Sequence, residues 1–229
     1  MSQVWEALTQ LKDHFIETFD ACAEEYEEPG LGKFNHADGG WVNRVWRCDD
    51  FRRAHVDVVD ARETKNLWMM HVCIFPHTHN SGPIYGFDVI AGPNKMTGAF
   101  HDYSPTTDLE EPMIEWFAKK TKEMNWKRER ELPDWAKAIF SDGMMSVGNV
   151  REQHEIDQVT NFAKISLGHY LNFIGLANGY ADNDIGKASQ NRYAHYQKQN
   201  PHTPRVMTSI GLPEADVHEF VQKCLFPDL

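Results

Sequence analysis

The sequence predicts an α/β/α sandwich: one antiparallel sheet with helices on both faces. Three observations lead there. Apolar residues recur at helical spacing toward both ends of the chain. The stretch from Trp41 to Ser104 breaks into short runs rich in β-branched and aromatic residues. No helical pattern of about 10–15 residues separates those runs, which disfavours parallel βαβ units, and a meander is expected.

The elements follow in order. Val4, Leu8, Leu11, Phe15 and Phe19 form one apolar stripe, a helix over 4–19. The acidic, Gly- and Pro-containing stretch AEEYEEPGLGKFNHADGG ends it and reads as a loop. WVNRVWRC, HVDVVDA, LWMMHVCIF, IYGFDVIAG and TGAFHDYS read as five strands, with ARETKN, PHTHNSGP and GPNKM as loops or turns. Residues 110–130 are helical again through Met113, Trp116, Phe117 and Met124. ELPDWAKAIFSDGMMSVGNV opens on a Pro turn and has room for one or two more strands. A long helix over 152–178 buries Ile156, Val159, Phe162, Ala163, Leu167, Tyr170, Leu171 and Ile174. The polar stretch 185–199 fits a helix, NPHTP reads as a loop, and a helix over 213–225 buries Val217, Phe220, Val221 and Leu225.

Composition bounds the function. The chain has 229 residues, 41% hydrophobic and 12% aromatic, enough for one globular domain over 1–229 with a real core. A net charge of −11 disfavours a nucleic-acid partner. No apolar run approaches the roughly 18 residues of a membrane span. The N-terminal MSQVWEALTQLKDHF is amphipathic and unlike a secretory signal. Cys22, Cys48, Cys73 and Cys224 show no CxxC spacing and read as free thiols in a reducing cytoplasm. A sheet covered on both faces leaves no obvious patch for self-association, so a monomer is expected.

Strand alternation points to a site. His55 and Asp57 share a strand face, His71 shares one with Leu67, Met69, Cys73 and Phe75, and Asp88 shares one with Ile84, Gly86 and Ile90. A polar group among apolar neighbours needs a partner, because burying it alone costs about 1–3 kcal/mol. Two readings stand: a His–Asp pair that only stabilises the sheet, or a proton-transfer site whose buried carboxyl and imidazole are coupled. The HxH of His77 and His79, with His71 nearby, reads as a solvated loop or as a weak metal-site signal lacking a third spaced ligand. No GxSxG, P-loop, GxGxxG or HExxH occurs. A redox enzyme on this chain would draw electrons from outside. Lys119, Lys120, Lys122, Lys127, Arg128 and Arg130 reverse the local sign of charge, either as a solvated helix face or as a docking patch for an acidic partner.

At these residues the sequence resembles the ferredoxin-dependent bilin reductases, especially the phycocyanobilin:ferredoxin oxidoreductase branch. Four stretches carry the resemblance: HVCIFPHTHNSGPIYGFDVIAG, GAFHDYSP, ELPDWAKAIFSD and NRYAHYQKQNPHTPRVM. It spans roughly 51–229 and is strongest over 67–105. Asp88 follows His71 by seventeen positions, as the family's Asp follows its His. The resemblance implies reduction of biliverdin IXα by successive single electrons from a reduced 2Fe-2S ferredoxin. It implies bilin radicals as intermediates and no bound metal or flavin. Asp88 would protonate the pigment, and His71 would hydrogen-bond its lactam region and relay protons.

Two departures stand out. Where that branch has a Glu in a His-x-Glu element, this chain has His55-Val56-Asp57. The Glu is associated with reducing the D-ring vinyl group, and an aspartate withdraws the acid by one methylene. The expected product is therefore phycoerythrobilin, by way of 15,16-dihydrobiliverdin, with phycocyanobilin as the alternative. The family's basic propionate ligand falls at Tyr196, which leaves Lys198 and Arg205 as candidates beside it. Asp88, His71 and Asp57 are thus the expected catalytic residues. His55, Lys198, Arg205 and Tyr196 are expected to bind substrate. A bilin carrier that does not reduce its pigment and a metal hydrolase built on the His cluster are the competing classes.

Overall fold

In the computed structural model, residues 2–34, 40–108, 111–180 and 183–229 are described. Seven strands form one sheet in sequence order, every neighbouring pair antiparallel: β1 (Glu24–Glu25), β2 (Trp41–Arg47), β3 (Phe51–Ala61), β4 (Leu67–Pro76), β5 (Ile84–Gly92), β6 (Lys95–Ser104) and β7 (Met145–Val150). The five expected strands are all present. The extra ones are β7, inside the stretch with room for them, and the two-residue β1.

Period-2 alternation sends side chains to two cores. Val56, Val72, Phe87 and Ala99 face α1 (Gln3–Cys22), α3 (Pro112–Lys122) and α5 (Gln153–Phe173). Val59, Cys73, Phe75 and Ile84 face α6 (Asn183–Gln197), α7 (His202–Ser209), α8 (Glu214–Glu219) and the π-helical turn Phe220–Leu225. Two single turns, α2 (Arg62–Lys65) and α4 (Asp134–Lys137), and a 3-10 turn at Gly32–Phe34 lie among the connections. This is the α/β/α sandwich that the sequence predicts.

Boundaries differ for local reasons. The turn ARETKN contains α2, closed by Asn66 in the left-handed region at φ 50. The helix expected over 110–130 stops at Lys122, and the chain then runs beside β7, with Gly148 N–H donating to Arg128 C=O and Arg130 N–H to Ser146 C=O. Its expected start at Glu110 lies outside the described residues, as do residues 35–39 of the first loop. The 152–178 helix ends at Phe173 in a 3-10 turn, Ile174–Leu176. NPHTP is not a loop: Pro201 caps α7, and Pro204 falls in its first turn, where its missing N–H costs nothing. The last helix changes to π geometry at Phe220.

Candidate active site

Antiparallel register places one residue from each of six strands in a straight row. Asn43, Asp57, His71, Asp88, Phe100 and Ser146 pair successively from β2 to β7. From Asp57 to Ser146 the row floors a cavity of about 370 Å³ between the sheet and the C-terminal helices. Its walls are Trp135 and Phe140 on one side, Tyr193 and Gln197 of α6 on another, and Leu225 and Phe226 at the end. Gly86 is small enough to admit Tyr193, whose hydroxyl would lie 3.2 Å from a Cβ there and accepts from Gln197 Nε2 at 2.7 Å. A roomier hollow of about 930 Å³ beside Trp41 and Ile210 has no such row on its floor.

Burial sets the chemistry of the row. It pushes the carboxyls of Asp57 and Asp88 up to about 7. At Asp57 the hydrogen bond from Trp41 Nε1–H opposes this and the charge of Asp88 adds to it. At Asp88 the Val89 backbone N–H opposes it. Burial, then the Arg53 guanidinium, pushes His71 down to about 3. Two carboxyls that exchange protons near neutrality therefore flank a neutral imidazole. The three side chains do not bond one another, and His71 Nδ1 has no hydrogen-bond partner. The mutually satisfied His–Asp pair is absent, and the row opens toward whatever fills the cavity.

Asp102 fixes one wall. Its carboxylate accepts from Ser141 N–H at 3.0 Å, Ser141 Oγ at 2.5 Å and Ser104 Oγ at 2.8 Å, which ties the segment bearing Phe140 to β6. Burial lifts this carboxyl to about 6 against those hydrogen bonds. Arg130 lies at the cavity mouth. Its guanidinium donates to Thr97 C=O at 2.8 Å and rests over Gly148, where a Cβ would approach Nε to 2.3 Å. Gly98 and Gly148 pair in register beneath it.

The buried acid–imidazole–acid row can exchange protons with whatever occupies the hollow above it. The family described as Ferredoxin-dependent bilin reductase matches residues 32–227. The chain belongs to that family.

This bilin reductase is 30% identical over 177 residues to the phycocyanobilin:ferredoxin oxidoreductase of Synechococcus sp. (strain CC9605), covering 72% of this chain and 67% of that protein. It is 27% identical over 191 residues to the enzyme of the same name from Prochlorococcus marinus (strain MIT 9313), covering 81% of this chain and 70% of that one. The solved structure of PcyX superposes with a TM-score of 0.75 at 38% identity, over 97% of this chain and 99% of that one. Tomato phytochromobilin synthase, solved in complex with biliverdin, gives 0.75 at 16% identity over 95% and 82%, a likeness of fold alone.

The reductase brings Asp57, His71 and Asp88 together as the strand faces require. It does not bring the expected substrate ligands to the cavity lining. His55 is fully buried beneath Phe220, its Nε2 bonded to Asn43 Oδ1 at 3.0 Å. Lys198 Nζ pairs with Asp228 at 2.8 Å. Tyr196 lies against Arg192, and Arg205 is exposed on α7. The reason is helical phase: α6 presents Tyr193 and Gln197 four residues apart, and α7 presents Thr203 and Val206, so their neighbours turn away. The basic cluster also divides. Lys119, Lys122 and Arg128 are exposed, Lys120 and Lys127 pair with Glu123 and Glu152, and Arg130 turns onto the sheet at the cavity mouth. Arg130 therefore stands, exposed, at the cavity mouth. The signal for it in the sequence is the pair of glycines Gly98 and Gly148. His77 and His79 stack at 5.3 Å, and His77 bonds Cys48 C=O. Among the described residues no group of three His, Cys, Asp or Glu is arranged to hold a metal ion.

Proposed function

We propose that this reductase converts biliverdin IXα to phycoerythrobilin through 15,16-dihydrobiliverdin, using four electrons from reduced ferredoxin and four protons. The observation that carries this reading is the Asp57–His71–Asp88 row on the cavity floor. The first and third electrons each leave the bilin a radical, the second and fourth close its shell again, and each is matched by a proton, which a carboxyl near 7 supplies at neutral pH. Asp88 protonates the pigment. His71, neutral and lining the cavity, hydrogen-bonds it and passes protons along the row. Phe100, between Asp88 and Ser146 in register, is an apolar platform for the pigment plane.

The product assignment rests on Asp57. Its carboxyl accepts from Trp41 on β2, and it is a methylene shorter than the glutamate of the resembled branch. Small displacements of a catalytic acid cost large rate factors, so the vinyl group is left unreduced. Arg130 and the unpartnered Ser146 hydroxyl take a propionate at the opposite end of the row. Lys119, Lys122 and Arg128 are the free cations for an acidic ferredoxin.

The test is an anaerobic assay with biliverdin IXα, ferredoxin and a reducing system, its products resolved against bilin standards. Phycoerythrobilin as the end product is expected. Phycocyanobilin would overturn the product assignment, and bound but unreduced biliverdin would make the chain a carrier.

A further inference from the structure

The chain's last residues cover His71, and they are fastened at three points. Phe226, 4% exposed, stands edge-on to the His71 imidazole at 5.4 Å and 82°. It also meets Tyr193 of α6 at 6.2 Å. Before it, Cys224 C=O accepts from Arg53 Nη2 at 2.6 Å. After it, Asp228 takes Lys198 Nζ at 2.8 Å, and Leu229 N–H donates to Asn191 Oδ1 at 2.8 Å. The Lys198 side chain is only 11% exposed although its partner is 65% exposed. Its stem lies along the protein and its charge is spent on the tail.

We propose that residues 226–229 are a strap held down by Lys198 and Asn191, so that Phe226 shuts the His71 end of the cavity. Lys198 is then a positioning residue for pigment reduction and not a ligand of the pigment's carboxylates. This rests on the proposed function for the cavity's occupant. The physical consequence is dryness. Water admitted beside Phe226 would reach His71 on β4 and, along the row, Asp57 on β3 and Asp88 on β5. It would weaken the burial that makes the two acids proton donors at neutral pH. His55 and the Arg53–Glu28 pair lie on the same face, and none of the substitutions named below replaces them.

The test compares Lys198→Ala, Lys198→Arg, Asp228→Ala and the double alanine variant, each with biliverdin and with its dimethyl ester, which has no carboxylates. Each single alanine should lower kcat about fivefold, the scale of a partly exposed ion pair. The double variant should go no lower, because both changes remove one contact. Lys198→Arg should restore the rate, and biliverdin and the ester should respond alike. In the alanine variants the pH at which activity falls should move down, and Phe226→Ala should reproduce that movement. If Lys198→Ala weakens biliverdin but not the ester while Asp228→Ala changes nothing, Lys198 is a carboxylate ligand and the strap is overturned. A wild-type chain that does not bind biliverdin would overturn the proposed function instead. The strap is then read by hydrogen exchange at 224–229, which Lys198→Ala should speed and Lys198→Arg should not. Unchanged exchange sinks it.

Discussion

His71 and Asp88 stand opposite each other in the β4–β5 pairing, yet no hydrogen bond joins them, and both line the cavity. One cause, burial, drives them apart in proton affinity: the imidazole sheds its proton and the carboxyl keeps one. That separation supports the proposed roles of Asp88 as the acid and His71 as the neutral relay.

Asp88→Asn keeps the shape of the side chain and removes its proton. Turnover should fall at least about a hundredfold, the scale of a lost general acid. Biliverdin affinity should change little. Anaerobic turnover and a spectral titration of the pigment separate the two effects.

The pH dependence follows from the same residues. Asp57 and Asp88 rise from 3.8 in the unfolded chain to about 7 in the folded one. The folded chain therefore holds extra protons in that window, and the stability these groups contribute is lost as pH rises through about 7. The buried histidines run the other way, losing their contribution as pH falls below 6.5. Comparing Asp88→Asn with the parent at the same pH cancels that opposing part. The substitution should stabilise the chain more at pH 8 than at pH 5, by about 2 kcal/mol, in urea unfolding. Activity of the unaltered chain should decline as pH rises through about 7.

Asp57→Glu restores the missing methylene. Phycocyanobilin should then appear among the products, at some cost in stability because the site is 1% exposed and closely packed. Chromatography against both standards decides it. A product profile identical to the parent's would remove Asp57 as the determinant of vinyl reduction.

Gly148→Ala probes Arg130 without touching its charge. A Cβ at 148 would stand 2.3 Å from Arg130 Nε, so the guanidinium must leave the sheet. Gly148→Ala and Arg130→Gln should each weaken biliverdin about tenfold, the scale of a charge-assisted hydrogen bond. The dimethyl ester should be far less affected. Equal losses with both pigments would show that Arg130 shapes the wall and does not bind a carboxylate.

Much of the floor of this site is legible in the amino-acid sequence. Period-2 spacing puts His55 with Asp57, and sets His71 and Asp88 among apolar neighbours, because alternate residues of a strand must share a face. The same rule yields the sheet, and the 3.6-residue stripe of Val4, Leu8, Leu11, Phe15 and Phe19 yields α1. The walls are not legible there. Lys198, Arg205 and Tyr196 lie one or two residues from side chains that do line the cavity, and a single residue on a helix is a turn of about 100°. Strand chemistry, short-range and periodic, is determined by the sequence itself. Which strand residues stand in one row, which face of α6 looks inward, that Arg130 lies on two glycines and that Phe226 lies on His71 are decided by tertiary structure. Those contacts join residues far apart in the chain, where no local spacing constrains them.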